Sequence, residues 1–391
     1  MAEDTGKNKR QIRIGILTFW WSNDNYGQLL QCYALQKYLR DAGYDAFLIR
    51  YDFRNDFVKT PFILRCVKAL NPVLLCRFLR HKINSRKVFE ESKLNDRHFD
   101  DFRSKYIVQS ENVYTSYNQL KENPPEADVY IVGSDQVWNI SEETSSIYIN
   151  SYFLNFGKEK VRRIAYAASW GSTSENLKLN SVSELLSKFE LITCREETGL
   201  TICEKNGVSS KLVCDPTLLL SVFEWKKLFV PIIHRNYIFV YMLHNSCHFS
   251  YSKLKAWANL HNLSIIYVTG NCGYCNVDFH DKKAKLYYPS ICEWLGLIFS
   301  AEYIVTNSFH CSLFSLLFRK KIATIMLSGR LKQSNSRILN LFSSLNCENI
   351  EIKNNDFDTL LSCKEQVIKK DFIYKSKEIL INALNFGDKG F

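Results

Sequence analysis

His310 stands one turn into a helical pattern that begins where an apolar run, Tyr303-Ile304-Val305, meets the polar segment Thr306-Asn307-Ser308. Backbone N–H groups and hydroxyls at such a helix start form a ready site for an anion. The positive helix end also favours a neutral imidazole, available as a base or donor near pH 7, and the competing reading is a structural histidine. Arg195 poses a related question, because Arg195-Glu196-Glu197 follows the apolar run Leu191–Cys194. Acids suit a helix start, whereas a cation there needs an anion beside it. Arg195 therefore either grips a phosphate or carboxylate with its planar fork or pairs internally with Glu197 or Asp215.

Two further segments carry polar chemistry at the end of apolar runs. Ile131-Val132 leads into Gly133-Ser134-Asp135-Gln136 and then Val137-Trp138-Asn139. Asp135 could orient or deprotonate a hydroxyl, and Trp138 could stack on the apolar face of a pyranose ring; otherwise the segment is a capped turn with Trp138 in the core. In Asn23-Asp24-Asn25-Tyr26-Gly27-Gln28, glycine lets backbone approach a ligand and asparagine offers donors and acceptors. The plainer reading makes Asn25 a helix cap and Gly27 a turn residue.

These residues need elements to hold them, and the hydrophobic pattern supplies strands that alternate with helices. Ile12 to Phe19 reads as a strand, Leu29 to Leu39 as an amphipathic helix stopped by Gly43, and Ala46 to Tyr51 as the next strand. The alternation continues through strands at 128–133, 163–168, 191–194 and 211–214, then resumes at 237–243, 264–269 and 303–306. Such a pattern predicts an α/β protein with two parallel sheets. The expected divisions are an N-terminal domain over 11–225 with a basic helical insertion at about 60–105, a second domain over 235–347, and a C-terminal helical segment over 348–391. Ligands in such sheets bind where loops leave the carboxyl ends of strands, so a cleft between two facing sheets is the expected site.

At 391 residues the chain exceeds what one hydrophobic core usually serves, and 46% hydrophobic with 23% charged residues argues against disorder and coiled coil. The net charge of +11 suits an anionic partner without choosing among nucleic acid, membrane and small polyanion. Its densest stretch, Arg65 to Lys93, reads as amphipathic helices with a solvated basic face; the alternative is peripheral contact with a membrane that carries a lipid-linked substrate. Thirteen cysteines without a secretory signal, and no apolar run of membrane-spanning length, predict a cytoplasmic protein. The single Cys272-Gly273-Tyr274-Cys275 pair reads as a loop with two reduced thiols rather than a zinc or redox site.

In order and spacing, these segments resemble the polysaccharide pyruvyl transferase family from Ile14 to about Leu345. The resemblance rests on Gly15-Ile16-Leu17-Thr18, Asn25-Tyr26-Gly27, Gln31-Cys32-Tyr33-Ala34-Leu35-Gln36, Val132 to Asn139, Tyr166-Ala167-Ala168-Ser169, Arg195-Glu196, Asp215-Pro216-Thr217 and Thr306 to His310. It implies a GT-B-like pair of Rossmann-type domains with parallel sheets facing a cleft. It further implies phosphoenolpyruvate as co-substrate, a bacterial surface glycan or its lipid-linked oligosaccharide precursor as acceptor, and neither metal, cofactor nor nucleic acid. His310 would then be the acid/base residue, sharing proton transfers with Asp135. Arg195, Asn307, Ser308 and Arg337 would lie on the donor side, and Asn25, Tyr26, Gly27, Ser134, Gln136 and Trp138 on the acceptor side.

The chain departs from its relatives at three of these positions. Many members carry aspartate and glycine where this chain has Asn307 and Cys311, and some carry arginine where it has Ser308. Another cation, from among Arg330, Lys332 and Arg337, would complete the donor site. A nucleotide-sugar glycosyltransferase of the same fold and a non-catalytic glycan-binding protein are the alternatives that the sequence leaves open.

Overall fold

The first sheet is all parallel and holds seven strands: β1 (Arg13–Leu17), β2 (Asp45–Tyr51), β3 (Gln109–Tyr114), β4 (Val129–Val132), β5 (Arg162–Ala168), β6 (Leu191–Cys194) and β7 (Lys211–Leu212). Their spatial order is β3-β2-β1-β4-β5-β6-β7, so the direction of winding reverses between β1 and β4. A second parallel sheet, β10-β9-β8-β11-β12, comprises β8 (Tyr237–Met242), β9 (Ser264–Thr269), β10 (Leu286–Tyr287), β11 (Tyr303–Thr306) and β12 (Lys321–Thr324); it reverses between β8 and β11. This computed structural model describes residues 10–55, 94–177, 179–232, 235–244, 247–270 and 286–385. The basic stretch from Arg65 to Lys93 and the Cys272/Cys275 pair lie outside the described residues.

The inner strands are buried on both faces, which is why they read as unbroken apolar runs rather than alternating ones: Val129–Val132 and Tyr237–Met242 are buried throughout. Register at the two reversal points is set by Leu17 opposite Val132 and by Thr306 opposite Tyr241, which align the carboxyl ends of the paired strands. Helices cover the faces. The Tyr26–Asp41 helix is buried along most of its length because it lies between the first sheet and the second unit, where it meets the Phe309–Leu317 helix.

Three contacts fasten the two units next to the reversal points. The Tyr26 ring stacks on Trp294 (4.9 Å between centroids, planes 7° apart), and its hydroxyl donates to the Pro289 carbonyl (2.7 Å). Arg97 reaches across to donate to the Thr269 carbonyl (2.7 Å). The C-terminal helix Asp371–Asn385 returns to the first unit, where Ser376 Oγ accepts from the Cys214 amide and Arg162 donates to the Leu384 carbonyl. Among the described residues, no helix is long and apolar enough to cross a membrane.

Candidate active site

Five strand ends converge on one narrow cleft, lined by Asn25 after β1, Asp135 and Gln136 after β4, Arg195 after β6, Leu243 and His244 after β8, and Asn307, Phe309 and His310 after β11. Arg337, from the helix Asn335–Ser344, closes the far side with Ser334 and Ile338. A polar cleft at two facing reversal points is where open α/β sheets place ligands.

The centre of the site is a buried carboxylate, Asp215. One oxygen accepts from the Thr217 amide (3.0 Å) and hydroxyl (2.7 Å); the other accepts from Ser134 Oγ (3.0 Å) and Arg195 Nη1 (2.9 Å) and lies 3.6 Å from His310 Nε2. Burial alone would raise the Asp215 pKa, but the facing His310 ring and the Arg195 guanidinium outweigh it and hold the carboxyl well below its ordinary value. Asp215 thus remains an anion that orients one arginine and faces one histidine.

Arg195 is only 7% exposed, and Asp215 satisfies just one of its nitrogens; Nη2 is buried without a hydrogen-bond partner, and Nε, also without a hydrogen bond, lies 3.8 Å from the Glu196 carboxylate. Phe309 lies 4.3 Å from the guanidinium carbon and covers one face of its plane. Desolvation opposes the charge, yet Asp215, Glu196 and Asp135 raise the Arg195 pKa. Arg337 is the second buried cation, and its Nε also lacks a partner. Burial and repulsion from Arg195 push it down to about 10. Leaving buried donors unpaired is costly, so two guanidinium groups with open N–H bonds on one cleft point to an anionic ligand.

His310 is placed by close packing. Ser308 caps the Phe309–Leu317 helix, its hydroxyl accepting from the Cys311 amide, and the imidazole of His310 lies against Gly27. A Cβ at Gly27 would stand 2.1 Å from His310 Nδ1, so no side chain fits there. Asp135 has a left-handed backbone (φ 65°), accepts from the Gln136 amide through Oδ1, and lies on the opposite wall.

Of the residues expected from sequence, the cleft gathers His310, Asp135, Arg195, Asn307, Arg337, Asn25 and Gln136. The other five support it from behind. Trp138 is fully buried, stacks on Phe153 and donates its indole N–H to the Tyr152 carbonyl, so it is a core residue and has no free face for a sugar. Tyr26 is spent on Trp294, Ser134 on Asp215, Ser308 on its helix cap, and Gly27 makes room for His310. Asn307 lines the cleft, but its amide is committed to the loop after β8: Oδ1 accepts from the Leu243 amide and Nδ2 donates to the His244 carbonyl. Asn25 occupies the cap position of its helix without a side-chain cap bond, which leaves its amide at the cleft. Arg195 does pair internally, with Asp215 and at longer range with Glu196, and it retains Nη2 open as well. His244 and Phe309 are lining residues that the sequence reading lacks. His244 could have been found by applying the strand-end rule to β8, as to β11.

Similarity to solved structures extends over the whole chain. The UDP-N-acetylglucosamine 2-epimerase of Rickettsia bellii aligns at a TM-score of 0.52 and 10% identity, covering 97% of this chain and 98% of that one. S. aureus MnaA, in its co-structure with UDP, aligns at 0.51 and 10% identity, covering 96% of each chain. At such identities the likeness shows the fold alone, and the fold is GT-B-like. No curated protein sequence matches the chain significantly. Residues 25–327, which include Asn25, Asp135, Arg195, His244 and His310 of the cleft but not Arg337, match the polysaccharide pyruvyl transferase family, and the chain belongs to that family.

Proposed function

We propose that the protein moves pyruvate from phosphoenolpyruvate to a pair of hydroxyls on a sugar of a bacterial surface glycan, or of its lipid-linked precursor, forming a cyclic ketal and releasing phosphate. The observation that carries this reading is the pair of buried arginines, Arg195 and Arg337, whose unpartnered N–H groups share one cleft with His310 and Asp135. A small donor with both a phosphate and a carboxylate matches two such forks.

The chemistry asks for an acid, a base and a cation, and each has a candidate. Protonation of the donor's methylene carbon builds positive charge at the adjacent carbon, which a sugar hydroxyl attacks. His310 is the proton donor in this reading, with the Asp215 anion behind it to stabilise the imidazolium. Asp135 accepts the hydroxyl proton. The second hydroxyl then displaces phosphate from the same carbon and passes its proton to the imidazole that His310 was left with, the proton on Asp135 leaves with the phosphate, and Arg195 and Arg337 stabilise the departing group. The test is to incubate the protein with phosphoenolpyruvate and lipid-linked saccharides and to follow phosphate. Release that requires both substrates, with a product heavier by one pyruvate ketal, supports the reading; turnover of a nucleotide-sugar in its place overturns it.

A further inference from the structure

His244 ends the loop that leaves β8, and it is fixed there by a side chain from the neighbouring strand end. Asn307 Oδ1 accepts from the amides of Leu243 (2.8 Å) and His244 (3.4 Å), while Nδ2 donates back to the His244 carbonyl (2.5 Å). Only an amide can both accept and donate in this way, so an aspartate at 307 could not make the same clamp. The clamp presents the His244 ring to the cleft that Arg195, Arg337 and His310 also line. Among the described residues the ring nitrogens of His244 have no hydrogen-bond partner.

Burial and the charges around the ring disfavour its protonation. Facing it are Arg337 from the Asn335–Ser344 helix, Cys247 beside its own carbonyl, His310 from the Phe309–Leu317 helix, and Arg195 and Asp135 across the cleft. Burial and the Arg337 charge push the His244 pKa down to about 4. Positive charge is thus oversupplied, since Arg337 is itself lowered by burial and by Arg195. A dianion set between the guanidinium groups reverses this balance, because it offsets the repulsion and offers the ring an acceptor.

We propose that His244 is a third ligand of the donor's phosphate, that it takes up a proton from solvent as the dianion binds, and that Asn307 is the positioning residue that aims it. The proposal rests on the donor reading above. Its test is calorimetric titration of the full chain at pH 7 with sulfate, which stays a dianion throughout, in buffers of different ionisation heat. The wild type should take up about one proton per sulfate bound. His244→Gln should bind sulfate about 10-fold more weakly, as expected for one lost charge-assisted bond, and should lose the uptake. His310→Asn should keep it.

Absence of uptake in the wild type, or full uptake in a folded His244→Gln protein, would overturn the proposal. Parallel titration with phosphoenolpyruvate separates the two readings. Sulfate bound with His244-dependent uptake while phosphoenolpyruvate is not bound leaves His244 an anion ligand and removes the donor reading. Phosphoenolpyruvate bound with uptake indifferent to His244 does the opposite. Failure of the wild type to bind either ion overturns both.

Discussion

Arg195 is held by Nη1 on Asp215, has Nε 3.8 Å from Glu196 and leaves Nη2 open, and this division makes its substitution informative. Lysine keeps the charge near Asp215 but lacks the fork. Arg195→Lys should therefore fold and lose about 10- to 100-fold in donor affinity, the equivalent of one charge-assisted pair, as read by calorimetry. Unchanged binding would make Arg195 a structural ion pair. For His310, asparagine keeps a polar side chain and removes proton transfer. The expected loss in phosphate release is roughly 10²- to 10⁴-fold with donor binding retained; a rate near wild type would pass the acid role to Asp135. What sequence shows at this scale is polar chemistry at a strand end, and Arg195, Asp135, Asn307 and His310 are legible for that reason. Trp138 and Tyr26 are not, since an aromatic beside a polar loop looks alike whether its ring faces the cleft or the core. Their partners, Phe153 and Trp294, come from distant segments and decide the matter.

At the scale of elements, the site depends on how closely two helix starts approach. The Tyr26–Asp41 and Phe309–Leu317 helices meet where Gly27 faces the His310 ring. Gly27→Ala would force that ring to move, since the added methyl would come within 2.8 Å of His310 Cβ as well as of the ring atoms. A displacement of this kind should lower kcat by about 10²-fold while donor affinity changes little. Wild-type kcat in Gly27→Ala would show that the placement of His310 is not critical. The inner strands of both sheets are legible as apolar runs because they are buried on both faces. β3 and β10 escape that reading for opposite reasons. β3 is an outer strand with the polar sequence Gln109-Ser110-Glu111-Asn112-Val113-Tyr114, and β10 has only two residues. His244 is harder still to find, because its importance comes from Asn307, a contact 63 residues away in sequence.

For the molecule as a whole, the consequence of the fold is that the polar groups in and behind the cleft come from both units. Asp135, Arg195 and Asp215 belong to the first, and His244, Asn307 and His310 to the second. The Tyr26–Trp294 stack and the Arg97 bridge hold the sheets together beside the cleft, so a ligand gripped from both sides should stabilise the entire chain. The central claim is that this cleft takes phosphoenolpyruvate rather than a nucleotide-sugar. The most direct measurement is the thermal midpoint of the full chain with each ligand in turn, because a ligand that binds only the folded state raises Tm with the logarithm of its concentration above Kd, by about 2.7 kcal/mol of stability at one hundred times Kd. A dose-dependent rise with phosphoenolpyruvate, absent with UDP-N-acetylglucosamine and reduced in Arg195→Lys, is the predicted result. A rise with the nucleotide-sugar and none with phosphoenolpyruvate would contradict it.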